Sequence, residues 1–541
     1  MDQPHFFKPW LGNNKVAIGI FLFLILLCAL VTFGLFALNQ QYVISYFGAQ
    51  PEDISLSIQL TYAGIIGMLV IQFRFLQYFQ RRSYLIIVIL TGMALSIANY
   101  YTKDLFTFMV LRVLTGFQVV ATAGCVLTLF IALIPPPATL LVASTIFYGA
   151  VLGNTTIIGL FSAWVTDHMD WHNIYRYLFF FQSATLAIAL ILLNRVSGGR
   201  KYPLYQIDWT SALLWLTGGI SLACTVIYGP KYYWFSDDRI VATALIATGA
   251  LLLLFSRQTR LKRPYWHPHV FKNGNFIIGL ILMFVYFTIK DSINLIYAYC
   301  FGIVRWDTFH VMLLGSVNLA GIVFFMIIAL RLQMKKMVSF RFFFLLGFSL
   351  LLVYHGWMYY SFTPDLSFGD LWLPVFLQGA ASGLLFVPIM LYAISGLPPY
   401  TGFTGIALAA ATRFTSTLVS IAGFYLLQLF FNQLNKESFL RHITQLDFSF
   451  TDSMNQYTQL FRSRGFTAGQ ADALASANIS RALSVQSQLI TDRHVFKVMI
   501  ILIIITLLVI GVAPLIQFLF KNLKNDKRHR YPDIDGQHQV S

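Results

Sequence analysis

Fourteen apolar runs of about twenty residues recur along this chain, and no other feature restricts its fold so strongly. At 1.5 Å per residue, such a run matches the hydrocarbon core of a bilayer when helical. Inside lipid, every backbone polar group needs an internal partner, which leaves α-helices or closed β-barrels. Barrel strands alternate apolar and polar residues, and these runs do not. The expected spans are about residues 16–38, 55–73, 84–101, 107–133, 140–165, 175–194, 210–229, 239–256, 275–299, 309–330, 341–362, 371–394, 402–430 and 496–520. Only 11% of the 541 residues are charged, against roughly 25% in soluble proteins. The fold class is therefore an all-α polytopic membrane protein. The opening MDQPHFFKPWLGNNK and the long run after it are not expected to form a cleavable signal.

The net charge of +16 sits in short loops, so it is read as setting topology, with no nucleic-acid partner. Alternate loops differ sharply in Lys and Arg. One side carries Lys8, Lys15, Arg74, Arg81, Arg82, Arg195, Arg200, Lys201, Arg257, Arg260, Lys262, Arg263, Lys272, Arg331, Lys335, Lys336 and the tail; the other has little beyond Lys103, Lys231, Arg239 and Arg305. The positive-inside rule then predicts both termini in the cytoplasm. Cys28, Cys125, Cys224 and Cys300 fall inside apolar spans and read as small buried hydrophobes, without metal-ligand spacing.

Ionisable residues inside spans are functional-site candidates because hydrocarbon penalises them. Arg112 lies in span four, one helical turn before Gly116; Lys290 and Asp291 lie in span nine; Arg413 lies in span thirteen. Asp291 is the only acidic residue well inside an expected span. It reads as a proton or cation-substrate site, as part of a structural ion pair, or, if the span is shorter, as a group near the outer surface. Successive helical residues point about 100° apart, so Lys290 is not its automatic partner. Gly149, Gly153 and Gly159 allow close helix approach. Gly116 precedes the proline turn at Pro135 by the same interval as Gly379 precedes that at Pro398, a repeat in which Gln378 falls near the place of Arg112. Repeated bundles with a site between them are a transporter architecture.

The phrases Arg112-x-x-x-Gly116, Gly149-x-x-x-Gly153-Asn154, DWHNIYRYLFFFQ, Asp208-Trp209 and Trp234 resemble those of the major facilitator superfamily, in its fourteen-helix drug:proton antiporter branch with EmrB-like multidrug efflux pumps. Arg81 and Arg82 match the basic end of that superfamily's cytoplasmic loop signature. Asn154 takes a proline position of the antiporter phrase. Asn39, Gln40 and Gln41 stand where the branch often has an aspartate. The resemblance implies a major facilitator fold with two six-helix bundles, residues 1–200 and 275–520. Between them lie an inserted helix pair and linker, 201–274; an external helical insert spans 432–495 and a cytoplasmic tail 521–541. It implies an inner (plasma) membrane protein, without a cofactor, that exports lipophilic or amphipathic drugs against protons by alternating access. A periplasmic adaptor and an outer-membrane channel are implied as possible partners. Arg112 is implied to act in proton transfer or charge stabilisation, and Arg413 to face the cavity.

Two other classes remain open. The degenerate loop signature and missing aspartate favour a uniporter, importer or sensor with altered coupling. His168 and His172, four residues apart beside Asp167 and Asp170, suggest one helical face of a membrane metal oxygenase, which would need a third ligand.

Overall fold

The computed structural model describes residues 6–11, 14–34, 40–135, 139–196, 204, 207–261, 264, 266–398, 401–441 and 447–530. Asn39, Pro136, Pro137, Arg200, Lys201, Lys262, Arg263, Pro399 and the tail beyond 530 lie outside the described residues.

The membrane helices are α1 (Lys15–Gly34), α2 (Pro51–Tyr78), α3 (Arg81–Tyr101), α4 (Leu105–Leu133), α5 (Thr139–His168), α6 (Asn173–Leu192), α7 (Trp209–Tyr228), α8 (Asp238–Arg260), α9 (Gly274–Val304), α10 (Thr308–Met334), α11 (Phe340–Ser361), α12 (Phe368–Ser395), α13 (Gly402–Leu440) and α14 (Ala468–Arg530). Among the described residues, thirteen helices are long and apolar enough to cross a membrane, and α2, bent by 51°, makes the fourteenth. The expected set of spans is present, with three differences. First, α9 is broken: it stops at Lys290 and resumes at Ile293. Asp291, Ser292 and Asn294 compete for backbone hydrogen bonds and favour such a turn. Second, α13 runs on to Leu440. Third, α14 begins at Ala468, so the external insert is largely an extension of two membrane helices, with a helix over Phe448–Ser463 between them. Ser487 binds Asn432 (2.6 Å), Asn435 binds Thr491 (3.1 Å) and Thr458 binds Asp472 (3.1 Å) along this extension.

One bundle core joins α1, α3, α4, α5 and α6; the other centres on α9 to α14. Each contains a helix crossing with no room for a side chain. A Cβ at Gly64 would lie 2.3 Å from the Val113 carbonyl oxygen, and one at Gly116 2.2 Å from that of Thr61. The second bundle repeats the pattern: Gly321 faces the Phe376 carbonyl (2.4 Å) and Gly379 that of Asn318 (2.1 Å). The repeat expected from Gly116 and Gly379 is thus a repeated contact, α2 on α4 and α10 on α12. It also corrects one correspondence. Gln378, directly before Gly379, takes the place of Thr115, and Val375 takes that of Arg112.

The inserted helix α7 covers the seam between α2 and α13. Ala223 and Ile227 pack with Leu56, Leu60 and Ala63 of α2 and with Phe414 and Leu418 of α13. At one end, Tyr228 donates to Asp53 and Lys231 to Gln50, while Tyr425 of α13 donates to Glu52 (3.4 Å). At the other end, Asp208 caps α7 and accepts two bonds from Arg257 of α8 (3.0 and 3.2 Å). Buried Gln258 donates to Ser211 (2.6 Å) and accepts from the Trp266 amide (3.0 Å). Burial alone would raise the Asp208 carboxyl, but bonds from Ser211 and Arg257 outweigh it and hold the group below the ordinary range. Its stabilising contribution is present above the unfolded value, about pH 4, and is lost as pH falls through the lower folded value. Asp208→Asn is expected to cost about 1–3 kcal/mol at neutral pH and to remove that acid-side loss. Thermal unfolding in detergent at several pH values checks both.

Candidate functional site

The break in α9 puts two charged side chains in the middle of a span. Because the helix ends at Lys290, Asp291 turns back, and its carboxylate lies 3.8 Å from Lys290 Nζ. The pair is mostly enclosed, at 21% and 17% side-chain exposure. The Lys290 carbonyl, freed by the break, accepts from Gln378 Nε2 of α12 (3.1 Å). Gln378 Oε1 in turn accepts from Asn318 of α10 (2.5 Å), which also donates to the Val375 carbonyl (2.9 Å). A discontinuous helix whose terminal carbonyl and side chains sit at mid-membrane depth is how transporters expose polar groups to a substrate.

Arg413 of α13 completes the group. Its guanidinium lies 5.0 Å from the Phe287 ring centre and 5.7 Å from that of Tyr62. Phe287 belongs to the same bundle as Arg413, and Tyr62, on α2, to the other. The arginine therefore bridges the seam between bundles, within electrostatic reach of Asp291. Aromatic rings continue the seam: Tyr148 of α5 packs on Phe386 of α12 (4.8 Å between centres), and Phe386 on Phe287 (5.2 Å). Lys290, Asp291 and Arg413 bring two basic groups and one acidic group to an aromatic wall.

Arg112 sits elsewhere. It is 1% exposed within the first bundle and donates to the Thr32 carbonyl of α1 (3.2 Å). It lines a polar pocket with Ser96, Asn99, Gln118, Tyr175 and Gln182; Ser96 donates to Gln182 (2.9 Å). The structure does not bring Arg112 together with Lys290, Asp291, Gln378 and Arg413. Gly149 and Gly153 face the other bundle, where a Cβ would lie 3.1 Å from Met326 Sδ and 2.8 Å from Leu319 Cδ1 of α10. They admit side chains there, not a neighbouring backbone. Asn154 donates to the Leu30 carbonyl of α1 (2.8 Å). Arg81 donates to the Thr128 carbonyl (3.4 Å) and stacks on Phe6 (4.1 Å), and Arg82 donates to the Leu190 carbonyl (3.5 Å). Both arginines anchor within their own bundle.

His168 and His172 do not share a helix face, because α5 ends at His168 and His172 lies in the turn before α6. His168 bonds the Trp164 carbonyl (2.9 Å), and His172 packs on Tyr46 and Trp171. Among the described residues, no three His, Cys, Asp or Glu side chains converge. Sequence reading missed Tyr62, Tyr148, Phe287, Phe386 and Asn318. Aromatic residues are too common here to single out, and Asn318 was legible only as a polar residue within a span.

No protein-family model matches the chain. It is 25% identical over 381 residues to the multidrug export protein EmrB of Escherichia coli K12, covering 67% of this chain and 68% of that one. It is 24% identical over 361 residues to EmrB of Haemophilus influenzae, covering 64% of each. Among solved structures, a POT family transporter aligns with a TM-score of 0.58 at 14% identity, over 91% of this chain and 96% of that one. A bacterial homologue of the human lysosomal transporter Spinster, inward-facing, aligns with a TM-score of 0.54 at 12% identity, over 94% and 97%. The chain has the major facilitator fold, is similar to the EmrB exporters, and is a secondary transporter. Its homologues carry solutes across membranes and are not enzymes. The transporter is a multi-pass inner-membrane protein that works on a small-molecule substrate within a lipid bilayer. In that fold Arg413 lies where the two bundles meet, with the broken α9 beside it.

Proposed function

We propose that this transporter exports amphipathic, aromatic-bearing drugs in exchange for protons, by alternating access of the bundles 1–200 and 275–520 about the seam at Arg413. Both termini are assigned to the cytoplasm on loop charge. The observation that carries the reading is Arg413, set between Phe287 of one bundle and Tyr62 of the other, beside the Lys290–Asp291 pair at the α9 break. Rocking the bundles separates Arg413 from Tyr62, so a substrate held between them is released to one side at a time. The aromatic wall suits a flat apolar body. The excess positive charge suits an acidic or zwitterionic group on the substrate, which desolvated cations hold strongly. Asp291 is the candidate coupling residue, because proton uptake there frees Lys290 and Arg413. The name of the E. coli relative, a multidrug export protein, supports the substrate class. A periplasmic adaptor on the 432–495 insert, continued by an outer-membrane channel, belongs to the same reading.

The test reconstitutes the protein in vesicles with an imposed pH gradient, and follows an anionic and a cationic fluorescent dye separately. Gradient-driven movement of the anionic dye, abolished in Asp291→Asn, is the expected result. Movement that ignores the gradient would overturn proton coupling. It would favour a uniporter, a second reading supported by Arg81 and Arg82, which among the described residues bond within their own bundle. Movement of neither dye would overturn drug export.

A further inference from the structure

Buried hydroxyls in this chain usually bond back to their own helix: Ser57 to Ile54, Ser382 to Gln378, Thr417 to Arg413. That is the local option for Ser and Thr in a helix. Ser292, at the break in α9, departs from it. It is 0% exposed, and its hydroxyl lies 2.9 Å from Nε2 of His355 on α11. His355 is also 0% exposed, and its Nδ1 lies 2.7 Å from the Leu351 carbonyl one turn earlier. A carbonyl only accepts, so Nδ1 carries the proton. Nε2 is left as an acceptor, and Ser292 donates to it. Tyr354 and Phe496 close on the ring, 4.7 and 5.2 Å between centres. A phenylalanine would fill the same space without the cost of burying two nitrogens; here both nitrogens are used, and one of them on the joint.

We infer that His355 is a positioning residue, whose bond to Ser292 fixes the break in α9 and thereby aims Lys290 and Asp291 into the seam. The joint is clamped from two sides. Gln378 of α12 holds the last carbonyl of the first half-helix, and His355 of α11 holds the first side chain of the second. Loss of either bond removes one of the two holds on the joint and lets it rotate. The role of the aimed charges in transport rests on the function proposed above; the clamp itself does not.

Hydrogen exchange over residues 286–297 of the full-length protein in lipid nanodiscs tests it. Ser292→Ala and His355→Phe are each expected to speed exchange there about tenfold. The double variant is expected to exchange no faster than either single, since both remove one bond. His355→Gln, which keeps an acceptor near the Nε2 position, is expected to return towards wild type. Unchanged exchange in both singles, or effects that simply add in the double, would overturn the positioning role. Faster exchange with wild-type dye transport would sustain the clamp and overturn the assignment of the joint to the transport site.

Discussion

Arg413→Gln is expected to lower gradient-driven transport by about a hundredfold while leaving the folded protein intact. The arginine makes two cation–π contacts, with Phe287 and Tyr62, each worth about 0.5–2 kcal/mol depending on desolvation. It is also one of two cations beside Asp291. Removing it takes away the contact across the seam and leaves Lys290 alone to balance the carboxylate. At 1.4 kcal/mol per factor of ten, two lost contacts and a lost charge reach that size. Arg413→Lys keeps the charge but not the planar face that stacks on rings, so its transport is expected to fall between the two. Dye flux into vesicles, normalised to protein recovered as a single peak on size exclusion, is the measurement. Wild-type flux in Arg413→Gln would remove the seam from the mechanism.

Gly379→Ala is expected to be among the most destabilising glycine-to-alanine changes among the described residues. Its Cβ would lie 2.1 Å from the Asn318 carbonyl oxygen and 3.1 Å from the Ile322 nitrogen, both backbone atoms. Relief requires α10 and α12 to separate, at a cost of about 3 kcal/mol or more. It would also drag Asn318 and Gln378 away from the α9 break, so transport should fall with stability. Gly149→Ala is the control, because its Cβ would meet only the flexible end of Met326 at 3.1 Å. Thermal unfolding in detergent should separate the two variants by many degrees, and equal melting would refute the close crossing.

The hydrophobic runs made the spans legible, because lipid imposes length and apolarity on every crossing segment. Arg112, Lys290, Asp291 and Arg413 were legible for the same reason: each is costly in hydrocarbon and so stands out. Their grouping was not. Arg112 and Arg413 look alike in sequence, yet one is enclosed in a bundle and the other lies between bundles. That difference depends on which face of each helix meets which neighbour. The break in α9 had a local signal in Asp291, Ser292 and Asn294, overridden in a reading that counts apolar length. The partnership of Gln378 was obscured by spacing: it was matched to Arg112, whereas the crossing at Gly379 aligns it with Thr115. His355 gave no signal, since its partner lies on another helix and its neighbours are ordinary core residues. Likewise Arg81 and Arg82 were readable as the basic end of a loop signature, but only the fold names the carbonyls of Thr128 and Leu190 as their targets.

The unbroken course of α14 has a mechanical consequence. From Ala468 to Phe496 it projects beyond the apolar span by about 40 Å, at 1.5 Å per residue. Bonds from Ser487 to Asn432, from Asn435 to Thr491 and from Thr458 to Asp472 stiffen it into an arm. Such an arm is a lever with its fulcrum in the second bundle. A tilt of that bundle by about 10° would carry the tip through about 7 Å on this length. On the alternating access proposed above, each cycle would swing this pointer far enough to be followed by a distance label at its tip.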